Sequence, residues 1–250
     1  VRLTVVGCAG SYPTAESPGS CYLLEQDGVR LLLDLGNGAL GALQQHVDLV
    51  WPDALAAVVL SHCHVDHCVD LASLYVQRHY APSPPVDRLR VLGPSDARAR
   101  IAGVYGMADA ATLDAQFAFE VLAPDPVTVG PFTITATRAA HPVESYSLRV
   151  EAGGASLTYS GDTGPSERLV ELAQGTDVAL FEASFVGDDN PSDLHMSGAD
   201  AASTAARAGA GLLVLTHLVA WNDERQVLDE AAALFPGPIE IARAGMTITV

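Results

Sequence analysis

The chain has 250 residues, 49% of them hydrophobic, enough to bury a sizeable core and too apolar for a disordered chain. Thirteen Lys and Arg against thirty Asp and Glu give a formal charge of −17, a field that repels polyanions unless bound cations reverse it, so nucleic acid is a disfavoured partner. No apolar run reaches the roughly 18–20 residues of a membrane span and the first residues lack the regions of a signal peptide. The four cysteines (Cys8, Cys21, Cys63, Cys68) show neither CxxC spacing nor disulfide density, so a cytoplasmic chain with reduced thiols and no membrane contact is expected.

In chain order, the runs RLTVVG (2–7), CYLLE (21–25), RLLLDLG (30–36) and LAAVVLSH (55–62) read as strands, and VDLASLYVQRHYA (69–81) as a helix. Between Pro82 and Pro126 the signals weaken: APSPP reads as a loop and GVYGMADAATLDAQF (103–117) has no clear period. A second β-rich series follows, with FTITATRAAH (132–141), YSLRVEA (146–152), ASLTYSGDTG (155–164), VALFEASF (178–185), GLLVLTHL (211–218) and IEIARA (239–244). It is interleaved with helices at about Ser166–Gln174, Gly198–Ala208 and Glu224–Phe235, with Ser197 and Asp223 as caps and the AGAG after Arg207 as a stop. Two β-rich halves, each followed by helices, predict an α/β chain of sheets packed face to face with helices outside, in one domain over 1–250.

The polar motifs lie where strands give way to loops, the usual address of ligands in layered α/β proteins. Of eight histidines, His62, His64, His67, His141, His195 and His217 sit at such edges, whereas His46 and His79 lie in helical stretches among polar residues and read as surface groups. SHCHVDHC (61–68) places three histidines within six positions, too dense for a polar turn that caps the next helix. His62 and His64, two apart at a strand end, point the same way, and neutral imidazole suits zinc. Asp66 and His67 lie one step on, near a helix start, and are better placed to hold a neighbouring ion. Cys63, between the two histidines, faces the other way and reads as buried and inert, as does Cys68 just inside the helix.

HxHxDH followed by distant His, Asp and His at strand ends resembles the ligand pattern of the metallo-β-lactamase superfamily over almost the whole chain. SHCHVDH, AHPVESYSLRV, YSGDTG, FEASF, LHMS and LTHL occur in the order of the branch that contains ribonuclease Z and related phosphodiesterases. The openings GCAGSYPTAESPGSCYLL and LDLGNGALGALQ look more closely like a bacterial group of atypical cyclic-nucleotide phosphodiesterases. The resemblance implies a metallo-β-lactamase fold, a four-layer αββα sandwich of two mixed sheets with helices outside. It assigns one Zn2+ to His62, His64 and His141 and a second to Asp66, His67 and His217, with Asp162 bridging; the same donors tolerate Mn2+. It also implies that His195 protonates the leaving group with Glu182 orienting it, that Asp66 orients the nucleophile, and that Asp34 supports the metal loop. Taken alone, His195 reads as a helix-entry residue, Glu182 as a buried acid paired with an arginine, and Asp162 and Asp34 as turn residues.

The expected reaction is hydrolysis of a small phosphodiester, cyclic AMP being the example, by a hydroxide shared between two metals. Four other readings compete. A ribonuclease Z acting on tRNA precursors is disfavoured by the acidic balance and by the absence of a long basic arm, and a β-lactamase by the absence of an export signal. A thioesterase or lactonase leaves the HMS histidine without a role, and a non-enzymatic metal sensor leaves the full ligand set without one. Oligomeric state stays open, a homodimer being compatible with the sequence.

Overall fold

The structure is a computed structural model and describes residues 1–49, 54–82, 87–187, 190–191 and 193–250. β1 (Arg2–Gly7), β2 (Cys21–Gln26) and β3 (Val29–Leu33) open the chain as an antiparallel meander. β2 turns into β3 through Asp27 and Gly28, both at positive φ, as a two-residue hairpin turn requires. After α1 (Ala39–Leu43), strand β4 (Ala57–Val59) pairs parallel with β3, and α2 (Val65–Cys68) and α3 (Asp70–Tyr80) follow. β5 (Leu89–Gly93), α4 (Ala97–Tyr105), a 3-10 turn (Ala110–Ala115) and β6 (Phe117–Val121) then extend the same sheet in parallel.

The second sheet is built from β7 (Val127–Val129), β8 (Phe132–Arg138), β9 (Tyr146–Ala152) and β10 (Ala155–Tyr159), which are antiparallel neighbours. It continues after α5 (Glu167–Leu172) with β11 (Val178–Glu182), after α6 (Gly198–Ala208) with β12 (Leu212–Thr216), and after α7 (Glu224–Ala232) with β13 (Ile239–Ile241), all parallel. β14 (Thr247–Thr249) crosses back and pairs with β1. The strand orders are β14-β1-β2-β3-β4-β5-β6 and β13-β12-β11-β10-β9-β8-β7.

Side-chain alternation places the layers. Leu31 and Leu33 of β3 meet Leu148, Tyr159 and Leu180 between the sheets, while Leu32, pointing the other way, packs with Leu43, Leu71 and Ile101 under α1, α3 and α4. Phe181 and Leu215 do the same on the far side, against Ala201, Ala205 and Val227 of α6 and α7. A strand buried on both faces needs an uninterrupted apolar run, which is why RLLLDLG shows no polar alternation. The result is the expected four-layer sandwich of two mixed sheets with helices outside. Among the described residues no helix is long and apolar enough to cross a membrane.

Several elements differ from the sequence reading. β4 stops at Val59, so His62 and His64 stand in the loop beyond it and not on a strand end. α5 and α7 are shorter than Ser166–Gln174 and Glu224–Phe235, and α1, β5, α4, β6, β7 and β14 were not expected. Most of the APSPP loop lies outside the described residues. The caps agree: Ser197 Oγ accepts from the Asp200 N–H in a capping box, and Asp223 accepts from the Arg225 N–H.

Candidate metal centre

All the polar motifs meet at one edge of the sandwich, where the chain leaves β4, β8, β10, β11 and β12. Beyond β4 the chain is pinned at Ser61, whose N–H and Oγ–H both donate to Asp34, at 2.7 Å each, and whose carbonyl accepts the Tyr146 N–H at 2.9 Å. His64 then caps α2 in extended backbone and makes no side-chain cap bond, which leaves its imidazole for the centre. The first turn of α2 carries Asp66 and His67, held from behind because the Asp66 and His67 carbonyls accept the Ser20 and Leu35 N–H groups. Gly36 permits this approach: a Cβ there would stand 2.0 Å from the Asp66 carbonyl oxygen.

Two overlapping sets of side chains result, His62, His64, His141 and Asp162 in one, and Asp66, His67, Asp162 and His217 in the other, with donor atoms of each set within 4.8 Å of one another. Asp162 belongs to both. Its Oδ2 lies 3.6 Å from His62 Nε2, and its Oδ1, buried without a hydrogen-bond partner, lies 3.2 Å from His67 Nε2 and 3.5 Å from His217 Nε2. One carboxylate oxygen faces each set.

The far nitrogen of each imidazole determines what its near nitrogen presents. His67 Nδ1–H donates to Asp34 Oδ2 at 2.8 Å and His141 Nδ1–H to the Leu194 carbonyl at 2.9 Å. The Ser184 hydroxyl donates to Glu182, so its oxygen accepts His217 Nδ1–H at 2.7 Å; Ser61 Oγ receives His62 Nδ1–H in the same way at 3.1 Å. In its neutral form each of these rings therefore turns an unprotonated nitrogen inward. Inward lone pairs of the neutral rings then face one another at His67 Nε2 and His217 Nε2, 3.2 Å apart, and His62 Nε2 faces His64 Nδ1 at 3.0 Å. Lone pairs at that separation repel unless a cation lies between them, so the residues fit a metal.

Without a cation, the titration tendencies differ between the two sets. Burial lowers His62, His64 and His141 and keeps them neutral. Burial also opposes charge on His67 and His217, but Asp162, Asp66 and other facing carboxylates outweigh it and raise both. Conversely, burial opposes ionisation of Asp66 and Asp162, yet the imidazoles of His67 and His217 hold both carboxyls well below the usual range.

Glu182, His195 and His217 also cluster within 4.8 Å. Among the described residues no arginine pairs with Glu182. Its oxygens accept the Thr163 N–H, the Ser184 hydroxyl and His195 Nδ1–H at 2.7, 2.8 and 3.0 Å, so its acceptor capacity is taken up by protein donors. Asp34 is fully buried and accepts from Ser61, His67 and the Tyr159 hydroxyl, where an ordinary turn residue was the competing expectation. Cys63 packs against the helix-side core outside both sets, and its hydrogen bond with Cys68, then burial, push its thiol far up. Exposed His46 and His79 stay away from the centre.

Sequence reasoning missed Ser61, Ser184 and the Ser11 N–H, which donates to Asp66 Oδ2 at 3.0 Å. Ser11, Asp34 and His217 all adopt positive φ (64°, 58° and 57°), a strain of about 1–3 kcal/mol each, held by the bonds converging there. Only the three-dimensional contacts reveal these groups, since serine at a loop carries no signal of its own.

Comparison with known proteins places these features in context. Residues 29–218 match the family model described as the beta-lactamase superfamily domain. An uncharacterized protein of Mycobacterium tuberculosis is 44% identical over 260 residues, covering 98% of this chain and 94% of the relative. The probable metallo-hydrolase YhfI of Bacillus subtilis is 31% identical over 98% of both chains, and its crystal structure, a metallo-beta-lactamase fold protein, superposes with a TM-score of 0.87 over 99% of both. The short form of human tRNase Z shares the fold at 20% identity, with a TM-score of 0.76 over 100% of this chain and 99% of that one.

Proposed function

Since this chain belongs to the beta-lactamase superfamily, we propose that it is a metal-dependent hydrolase of small phosphodiesters, 3′,5′-cyclic AMP foremost among them. The observation that carries the reading is the inward convergence of histidine lone pairs on Asp162, with His195 held by Glu182 beside them. In this reading His62, His64, His141 and Asp162 hold one ion, and Asp66, His67, His217 and Asp162 the other. Zinc suits these nitrogen and oxygen donors, and manganese is tolerated by them. Two dications bound there supply a nucleophile from water at neutral pH and neutralise phosphate charge.

The chain's own groups do the rest. Asp34, Ser61 and Ser184 fix the tautomers of His67, His62 and His217, so that the centre is organised before substrate arrives. Asp66, anchored by the Ser11 N–H, orients the attacking water. His195 donates the proton of Nε2 to the oxygen that departs as the P–O bond breaks, while Glu182 on Nδ1 stabilises the imidazolium form. The product is a phosphomonoester. That role requires His195 to stay outside the metal sets, and the saturation of Glu182 by protein donors supports this.

A small substrate is favoured over a polynucleotide because several arginines are paired away from the centre. Arg2 and Arg30 pair with Glu25, Arg90 with Glu120, Arg207 with Glu167 and Arg243 with Glu224, and among the described residues no arginine bonds to any member of the centre. The test is parallel assay of the metal-loaded protein on cyclic nucleotides, an aryl phosphodiester, a tRNA precursor, nitrocefin and an acyl-glutathione thioester. Cyclic nucleotide and aryl diester hydrolysis is expected. Efficient tRNA cleavage with cyclic nucleotides inert, or thioester cleavage alone, overturns the proposal.

A further inference from the structure

Two exposed aromatic rings stand on the loops that follow Ser11 and His217. Trp221 is 73% exposed and Tyr12 39%, and their centroids are 5.7 Å apart at 31°. Tryptophan is mostly buried in folded proteins, and a contiguous exposed aromatic surface at a catalytic edge marks a ligand contact more often than a plain surface.

Both rings are tied to the metal residues through the backbone. Tyr12 follows Ser11, whose strained backbone delivers its N–H to Asp66 Oδ2 and lies 3.4 Å from His217 Nε2. Trp221 sits in the turn after His217, closed by the Asn222 N–H on the Val219 carbonyl. Asn222 Nδ2 also donates to the Ser184 carbonyl at 2.7 Å, and the Ser184 hydroxyl meets His217 Nδ1. The Gly10 N–H on the Leu218 carbonyl joins the two loops to each other. Phe185 packs perpendicular to His195, with centroids 5.2 Å apart. The rings of Tyr12 and Trp221 pack on each other, so an incoming ring stacks on the outer face of Trp221 and not between them.

With no arginine at the centre among the described residues, we propose that the Tyr12–Trp221 pair is a stacking platform for a planar aromatic group on the substrate, a nucleobase, and determines specificity. This deepens the phosphodiesterase reading and rests on it for the phosphate half. Stacking tolerates every base, because each has a π-face, so the platform favours base-bearing diesters over base-free ones without selecting strongly among bases.

The chain has two tryptophans, so in a Trp51→Phe background the emission reports Trp221 alone. Adenosine 5′-monophosphate titrated into the zinc-loaded W51F protein is expected to quench that emission saturably, and ribose 5-phosphate to leave it largely intact. In the full chain, Trp221→Ala is expected to reduce the preference for cyclic AMP over methyl ribofuranoside 3′,5′-cyclic phosphate about tenfold, the loss typical of one base–aromatic stack. Trp221→Phe retains most of that preference, and Tyr12→Ala loses less of it. Equal quenching by the two monophosphates, or an equal change for the two diesters in Trp221→Ala, overturns the platform. Nucleotide quenching with neither diester cleaved by the wild-type chain overturns the phosphodiesterase reading instead and supports the platform.

Discussion

Burial acts on Glu182 and His195 in opposite senses, raising the carboxyl and disfavouring the imidazolium, yet the pairing with Glu182 and the nearby Asp162 carry His195 above its ordinary value of 6.5. The sign matters for catalysis. A general acid works only while protonated, so its rate falls as pH rises through its pKa, and a raised pKa holds the proton further into the neutral range. Glu182→Gln keeps the shape and removes the charge. It is expected to move the alkaline limb of the kcat profile to lower pH while bound metal, measured by elemental analysis, stays as in the wild type. An unmoved limb removes His195 from the role of acid, and loss of metal makes the pair part of the ligand set. The Glu182–His195 pairing was legible in the sequence only through resemblance, because the two stand thirteen positions apart and no local pattern joins them. His62, His64, Asp66 and His67, by contrast, are dense enough to identify from spacing. Ser61 and Ser184 were not legible, as their meaning lies entirely in which imidazole nitrogen they face.

The elements that position the centre are short, and their legibility follows how completely they are buried. β3 and β11, buried on both faces over Leu31–Leu33 and Val178–Phe181, appear there as apolar runs. α4 buries only Ala97, Ile101 and Ala102, a stripe too thin to produce a helical period, and β6 ends in an exposed Val121, so the segment after Pro82 concealed two strands and a helix. β4 was read too long because Leu60, Ser61 and His62 are as buried as the strand that precedes them. What holds α2 against the sheet edge is close backbone approach, and Gly36 is its narrowest point. Gly36→Ala forces its Cβ into the Asp66 carbonyl group, with the oxygen at 2.0 Å and the carbon at 2.6 Å. The expected cost is about 1–3 kcal/mol in denaturant unfolding, with loss of metal from the set containing Asp66 and His67. Gly41→Ala, inside α1 with nothing within 4 Å of the new Cβ, is the control and is expected to stabilise by about 0.5–1 kcal/mol. Equal behaviour of the two variants rejects the close approach as the fixing element.

At the scale of the molecule, a chain with net charge −17 buries Asp34, Asp66, Asp162 and Glu182 together at one edge. Without metal, the facing charge comes from protons on His67 and His217, whose folded pKa values are raised above 6.5. Groups raised on folding contribute stability that is fully present below the unfolded value and lost as pH rises through the folded one. The metal-free protein is therefore expected to lose stability as pH climbs above about 6.5. His62, His64 and His141, lowered by burial, act in the other direction: their contribution is lost as pH falls below their ordinary 6.5, with or without metal. Bound dications replace the protons of His67 and His217 and bind more tightly as the ligands deprotonate. The gap in Tm between zinc-loaded and chelator-stripped protein should then widen between pH 6 and pH 8. At a hundredfold excess of metal over Kd the stabilisation is about 2.7 kcal/mol, on the order of 5–10 °C for a chain of this length. Calorimetric scans of both forms across that pH range provide the measurement. A gap that narrows with pH, or a stripped protein that melts where the loaded one does at pH 8, means that protons and not metals complete this edge of the fold, and the dinuclear assignment falls with it.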